Sequence, residues 1–163
     1  MLAGMAFVIG LAVGMAIGPI GSGRTQTPKA VAAERQETPA TAPIRGSHAA
    51  EVLRVVDGDT FEARVRVWPG MDVTTKVRLR GIDAPELKAR CGEEYAKAQS
   101  AREALAAMLA EGDVRVGNVG LDKYGGRVLA DASTRSTPDV SRALLGAGLA
   151  RSYSGGKRET WCQ

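Results

Sequence analysis

The 163 residues have room for one domain with extensions, and a formal charge of +4 is too mild for a histone-like polycation. A single histidine, His48, excludes a His-based triad or a His-rich zinc site, and two cysteines, Cys91 and Cys162, exclude zinc motifs and a CxxC redox pair. From His48 onward 18 Lys and Arg stand against 16 Asp and Glu, so a polyanionic partner has to be held by placed arginines rather than by bulk charge.

Residues 1–23 carry no charge, and LAGMAFVIGLAVGMAIGPI is almost wholly apolar without a polar face. About 20 such residues span a bilayer core as a helix, so the segment reads as a signal anchor or a long signal peptide. The basic residues Arg24, Lys29 and Arg35 follow the run rather than precede it, which by the positive-inside tendency favours a cytoplasmic C-terminal side, in tension with export. Residues 24–47, rich in Ala, Thr and Pro, are too poor in large apolar side chains to offset their ordering entropy and read as a disordered tether. The folded domain is expected over 48–163. An even cysteine count in an exported chain suggests one disulfide, Cys91 to Cys162, with two free thiols as the alternative.

Within the domain, apolar–polar alternation predicts strands at Ala49–Val56 and Phe61–Val67, separated by Asp57-Gly58-Asp59-Thr60, with Asp-Gly expected to supply the positive φ of a tight turn. Trp68-Pro69-Gly70 breaks the pattern, and a third strand runs Val73–Ile82 to a stop at Pro85. Glu93–Ala110 is the clearest helix: Tyr95, Ala98, Ala101, Leu105 and Met108 or Leu109 line one face, Glu94 lies elsewhere, and Gly112 ends it. Val114–Val119 and Arg127–Ala132 are further strands, and Pro138-Asp139 opens a short helix with Val140, Ala143, Leu144 and Ala147 inward. Five short strands with a helix between the third and fourth predict an α+β fold, a small antiparallel barrel with two or three helices that hides its own edges.

Three polar clusters fall at strand ends and turns: Asp57–Thr60, Arg78–Glu86 (RLRGIDAPE) and Asp122–Arg127 (DKYGGR). Carboxylates and guanidiniums without histidine are the inventory of metal-assisted phosphodiester chemistry. Carboxylates bind a hard cation through oxygen, the cation polarises the phosphate, guanidiniums match phosphate geometry, and a remaining carboxylate takes a proton from water. Arg78 and Arg80 share one face of their strand, and only one of them need point at such a site.

The segments VVDGDT, RLRGIDAPE, DKYGGRVLA and LLGAGLAR, in this order and spacing, resemble the staphylococcal nuclease (thermonuclease) family from about Glu51 to Tyr153. The resemblance implies a five-stranded OB-fold barrel and Ca2+-dependent hydrolysis of DNA and RNA that leaves 3′-phosphate ends. Position by position it implies Asp59, Asp83 and the backbone carbonyl of Ala84 as Ca2+ ligands, Glu86 as general base, Arg78 and Arg127 but not Arg80 as phosphate-binding arginines, and Lys123 and Tyr124 as contacts to a terminal phosphate. Asp57 and Gly58 would shape the turn. The sequence departs from the family in the extra Gly before Arg127, the longer hairpin at Trp68-Pro69-Gly70, and an end at Gln163 short of the long final helix, for which Cys91 and Cys162 would substitute as a fastening. Tyr153 lies near the family's base-stacking tyrosines but out of register. The expectation is a monomeric nuclease outside the cytoplasmic membrane, anchored or secreted. The other readings are a non-catalytic module of the same fold that binds nucleic acid or protein, and a structural exported domain with charged turns.

Overall fold

The structure is a computed structural model that describes residues 44–162. The apolar helix expected over 1–23, and the tether as far as residue 43, lie outside the described residues. Among the described residues no helix is long and apolar enough to cross a membrane.

The elements run β1 (Ile44–Asp57), β2 (Thr60–Trp68), β3 (Met71–Leu79), β4 (Ile82–Asp83), α1 (Gly92–Ala110), β5 (Arg115–Leu121), β6 (Arg127–Ser133), α2 (Val140–Gly146) and β7 (Arg151–Ser152). β1 starts upstream of the boundary expected at His48, and Ser47 already pairs with Gly117. Its first half pairs with β5 and its second half with β2, so this one strand bends round the barrel.

Five strands close in the order β1-β2-β3-β6-β5. The barrel is the one expected, with one difference in strand direction: four of the five pairings are antiparallel and the last, β3 to β6, is parallel. The reason is parity. An odd number of strands in a closed ring cannot alternate direction all the way round, so at least one neighbouring pair must run the same way.

Alternation along the strands sends Phe61, Ala63 and Val65 of β2, Val77 and Leu79 of β3, Val116 of β5 and Ala130 and Ala132 of β6 into the barrel. Each large side chain so buried contributes about 1.5–3 kcal/mol. From α1 the buried residues are Glu94, Ala98, Ala101, Leu105 and Leu109. The helix face is the expected one except in its first turn, where Tyr95 is exposed and Glu94 is inside. Glu94 accepts a hydrogen bond from the Arg90 backbone N–H at 3.0 Å, which satisfies its carboxylate locally, and Cys162 Sγ lies 3.6 Å from it. In α2, Asp139 caps the N-terminus by accepting from the Arg142 N–H, Val140 and Leu144 are buried, and Ala147, expected inside, is exposed.

The third expected strand is split. β3 ends at Leu79, Gly81 turns the chain at φ 79°, and Ile82–Asp83 form β4, which pairs with β7 through Ile82–Ser152 and Asp83–Arg151. This small second sheet sets the C-terminal tail beside Asp83.

Candidate active site

The site begins at the β1–β2 turn. Gly58 is not in the left-handed region, so the turn does not need it for positive φ as expected. What it needs is the missing side chain: a Cβ at Gly58 would stand 2.5 Å from Ala101 Cβ on α1 and 3.0 Å from Ala84 Cβ. That close approach holds Asp59 against the segment after β4. Asp59 is 3% exposed, and its carboxylate is fully engaged. Oδ1 accepts from Arg78 Nη1 at 2.8 Å and from the Thr60 hydroxyl at 2.8 Å, and Oδ2 accepts from the Ala84 N–H at 3.0 Å.

Asp83 is 5% exposed. Its Oδ1 accepts from Arg78 Nη2 at 3.4 Å and lies 2.5 Å from Arg158 Nε, and its Oδ2 accepts from the Trp161 indole N–H at 3.4 Å. Glu86, placed by the buried Pro85, keeps 41% of its side chain exposed and accepts from Arg158 Nη1. Asp59, Asp83 and Glu86 thus come together but do not face one another directly. Arg78 bridges the first two, and Arg158 bridges the second and third. Asp57 belongs to the same cluster: burial first, then the charges of Glu86 and Asp59, raises its carboxyl above the ordinary range.

Arg78 faces away from the barrel interior yet is buried, because Asp59 and Asp83 cover it, and it also donates to the Ile82 carbonyl at 3.3 Å. Arg80 is a different kind of residue. Its Nη2 donates to the carbonyls of Asn118 at 2.6 Å and Leu129 at 2.9 Å and so ties the end of β3 to β5 and β6. Both arginines border the same cleft, and only Arg78 of the two is bonded to the carboxylates of Asp59 and Asp83.

Beside the cluster lies an open cleft of about 960 Å³. Arg78, Glu86, Lys123, Tyr124 and Arg127 all line it, as do Tyr153 and Arg158. The carboxylates of Asp59 and Asp83 lie behind the Arg78 and Arg158 guanidiniums. Arg127 starts β6 and is held by Asp122, and its guanidinium sits 4.9 Å from the centre of the Tyr124 ring, with Lys123 Nζ at 5.0 Å from the same ring. The extra residue of this turn is Gly126, whose φ of 83° lets the longer loop close and return Arg127 to the cleft. Tyr153 donates its hydroxyl to the Gly156 carbonyl at 2.7 Å and forms part of the wall.

The C-terminal wall is fastened at its end. Cys91 and Cys162 form a disulfide that closes a loop of 71 residues. Trp161 is 7% exposed, with the Arg151 guanidinium 3.7 Å above its ring. Sequence reasoning did not single out Arg158, Trp161 or the buried Glu94. The available signal for the first two was their position, between the Gly155-Gly156 pair and the C-terminal cysteine.

The donor set of Asp59, Asp83 and the Ala84 carbonyl is all hard oxygen, which suits Ca2+ better than a soft metal. The oxygens of Asp83, Ala84 and Glu86 already attract a cation of the chain itself, since Arg158 also donates to the Ala84 carbonyl at 2.9 Å. On both grounds these residues fit a bound divalent cation.

The fold and cluster define a class first: a five-stranded OB-type barrel with two helices that carries buried carboxylates beside an arginine-lined cleft. The chain belongs to the staphylococcal nuclease family, since the sequence model described as Staphylococcal nuclease homologue matches residues 76–161. It is 36% identical over 123 residues, 71% of this chain, to Protein ParB of Escherichia coli. It is 34% identical over 126 residues, 72% of this chain, to Endonuclease YhcR of Bacillus subtilis (strain 168). These matches span 61% and 10% of the two relatives' own lengths.

Proposed function

We propose that this protein is a Ca2+-dependent nuclease that hydrolyses phosphodiester bonds in DNA and RNA and leaves 3′-phosphate ends. The observation that carries the reading is the joining of Asp59, Asp83, Glu86 and Arg78 at one edge of a cleft that also holds Arg127, Lys123 and Tyr124. Family membership and the similarity to a protein named an endonuclease support it. Asp59, Asp83 and the Ala84 carbonyl would hold Ca2+, which would supply Lewis-acid polarisation of a phosphate oxygen. Glu86, reachable from the cleft, takes the proton of the attacking water. Arg78 and Arg127 bind phosphate oxygens and stabilise the charge that builds on phosphorus, and Lys123 and Tyr124 hold the neighbouring terminal phosphate. The Cys91–Cys162 disulfide supports an oxidising compartment, and the apolar segment at 1–23 supports export, anchored or cleaved. Cell fractionation with the mass of the mature N-terminus tests that part, and recovery of the chain from the cytoplasm would refute it.

The test of activity is cleavage of labelled single-stranded DNA and RNA in millimolar Ca2+ and again with EGTA, beside Glu86→Gln. The expected result is cleavage that needs Ca2+, yields 3′-phosphates and falls about 10²–10⁴-fold in the variant. Equal rates for both proteins would remove Glu86 from the role of base. One observation favours a second reading, a nucleic-acid-binding module without turnover: Arg158 lies on the carboxylates of Glu86 and Asp83. Tight DNA binding without cleavage in Ca2+ would select that reading.

A further inference from the structure

Arg158 is twelve residues beyond the end of α2 and 72 residues from Glu86 in sequence, yet all three of its hydrogen-bonding nitrogens point into the acidic cluster. Nε meets Asp83 Oδ1 at 2.5 Å, Nη1 meets Glu86, and Nη2 meets the Ala84 carbonyl at 2.9 Å. These acceptors are two of the oxygen donors assigned to the cation together with the carboxylate assigned as base. A guanidinium and a divalent cation compete for these oxygens, because Arg158 covers all three acceptors at once and the two charges repel. We propose that Arg158 is the residue that sets the cation affinity of this site: its guanidinium is an internal counter-ion that must leave Asp83, Ala84 and Glu86 before a divalent cation can bind. The inference rests on the reading of Asp59, Asp83 and Ala84 as a Ca2+ site.

Three observations support it. First, the charges match: Asp57, Asp59, Asp83 and Glu86 stand against the guanidiniums of Arg78 and Arg158, so the cluster keeps two uncompensated negative charges with Arg158 in place and three without it. Second, the two arginines differ in freedom. Arg78 is 10% exposed at its side chain and sits in a strand, whereas Arg158 is 37% exposed and sits on an irregular segment that follows Gly155 and Gly156, both at positive φ. Arg158 has room to swing, whereas Arg78 is packed in place by Asp59, Asp83 and the Ile82 carbonyl. Third, the segment that carries Arg158 cannot drift off. It is held on one side by the β4–β7 pairing and on the other by Trp161 and the Cys91–Cys162 disulfide. A displaced side chain on a tethered backbone stays beside the cleft and competes again as soon as the cation leaves.

A competitor that occupies a site nine-tenths of the time or more lowers the apparent affinity of a ligand about tenfold or more. The test is a calorimetric titration of the full chain with CaCl2, with wild type, Arg158→Gln and Arg158→Lys compared after circular dichroism has verified their folding. The expected result is Ca2+ binding at least about tenfold tighter in Arg158→Gln, with Arg158→Lys in between, since one ammonium cannot span three acceptors. Equal affinity in all three proteins would overturn the role of Arg158 and leave the Ca2+ site standing. Weaker binding in Arg158→Gln would overturn it as well, by making Arg158 a support of the site rather than a competitor. Absence of Ca2+ binding in all three would overturn this inference together with the Ca2+ site itself.

Discussion

Replacing Cys91 and Cys162 with serine opens the bridge that closes a 71-residue loop over most of the domain. In the chain-entropy account, cross-linking a loop of this length removes about 15 cal/mol/K from the unfolded ensemble, or about 4 kcal/mol at room temperature. Measured values for native bridges centre on about 2–4 kcal/mol, so the lower part of that range is the safer expectation. The bridge also holds Trp161 over the Arg151 guanidinium and Glu94 under Cys162, and these contacts fray when the tail is released. For a domain of this size each kcal/mol corresponds to roughly 3–5 °C, so the variant should melt roughly 6–15 °C lower. The assay is a thermal melt of the full chain followed by circular dichroism without metal, comparing the double serine variant with wild type before and after reductant. Reduced wild type should reproduce the variant. A shift of about 2 °C or less would refute the argument, because it would mean that the tail holds its place without the bond.

Gly58→Ala should cost about 1–3 kcal/mol, since the new Cβ meets Ala101 and Ala84 at 2.5 and 3.0 Å and neither can move without displacing α1 or the segment after β4; an unchanged melting point would show that the turn has slack. Asp57→Asn should raise the metal-free melting point at pH 7. The folded-state value of this carboxyl is raised, so the folded protein binds its proton more tightly, and stability falls as pH climbs from the ordinary Asp value through the raised one. The gain from the amide should therefore vanish in acid below the ordinary Asp value, and a gain that persists there would have another source.

The five barrel strands, the two helices and the opening of the second at Asp139 were legible because they rest on short-range rules. Alternation with period two needs only nearest neighbours, as in Phe61, Ala63 and Val65, and a cap needs only Asp139 and Arg142. The members of the candidate site were legible for the same reason, since Asp59, the Arg78–Glu86 run and Asp122–Arg127 are each contiguous. What those residues bond to was not. Arg78 is spent on two carboxylates, Gly58 is required by a helix 43 positions further on, and Glu94 rather than Tyr95 turns inward, where it lies under Cys162 from the far end of the chain. The parallel β3–β6 pair follows from ring closure, a property of the whole barrel that no single segment carries. Arg158 lies in a stretch with no periodicity, and only the β4–β7 pairing and the Cys91–Cys162 bond bring it to the acids. Local patterns in this chain chose the elements and the chemical groups, and long-range closure decided which group meets which.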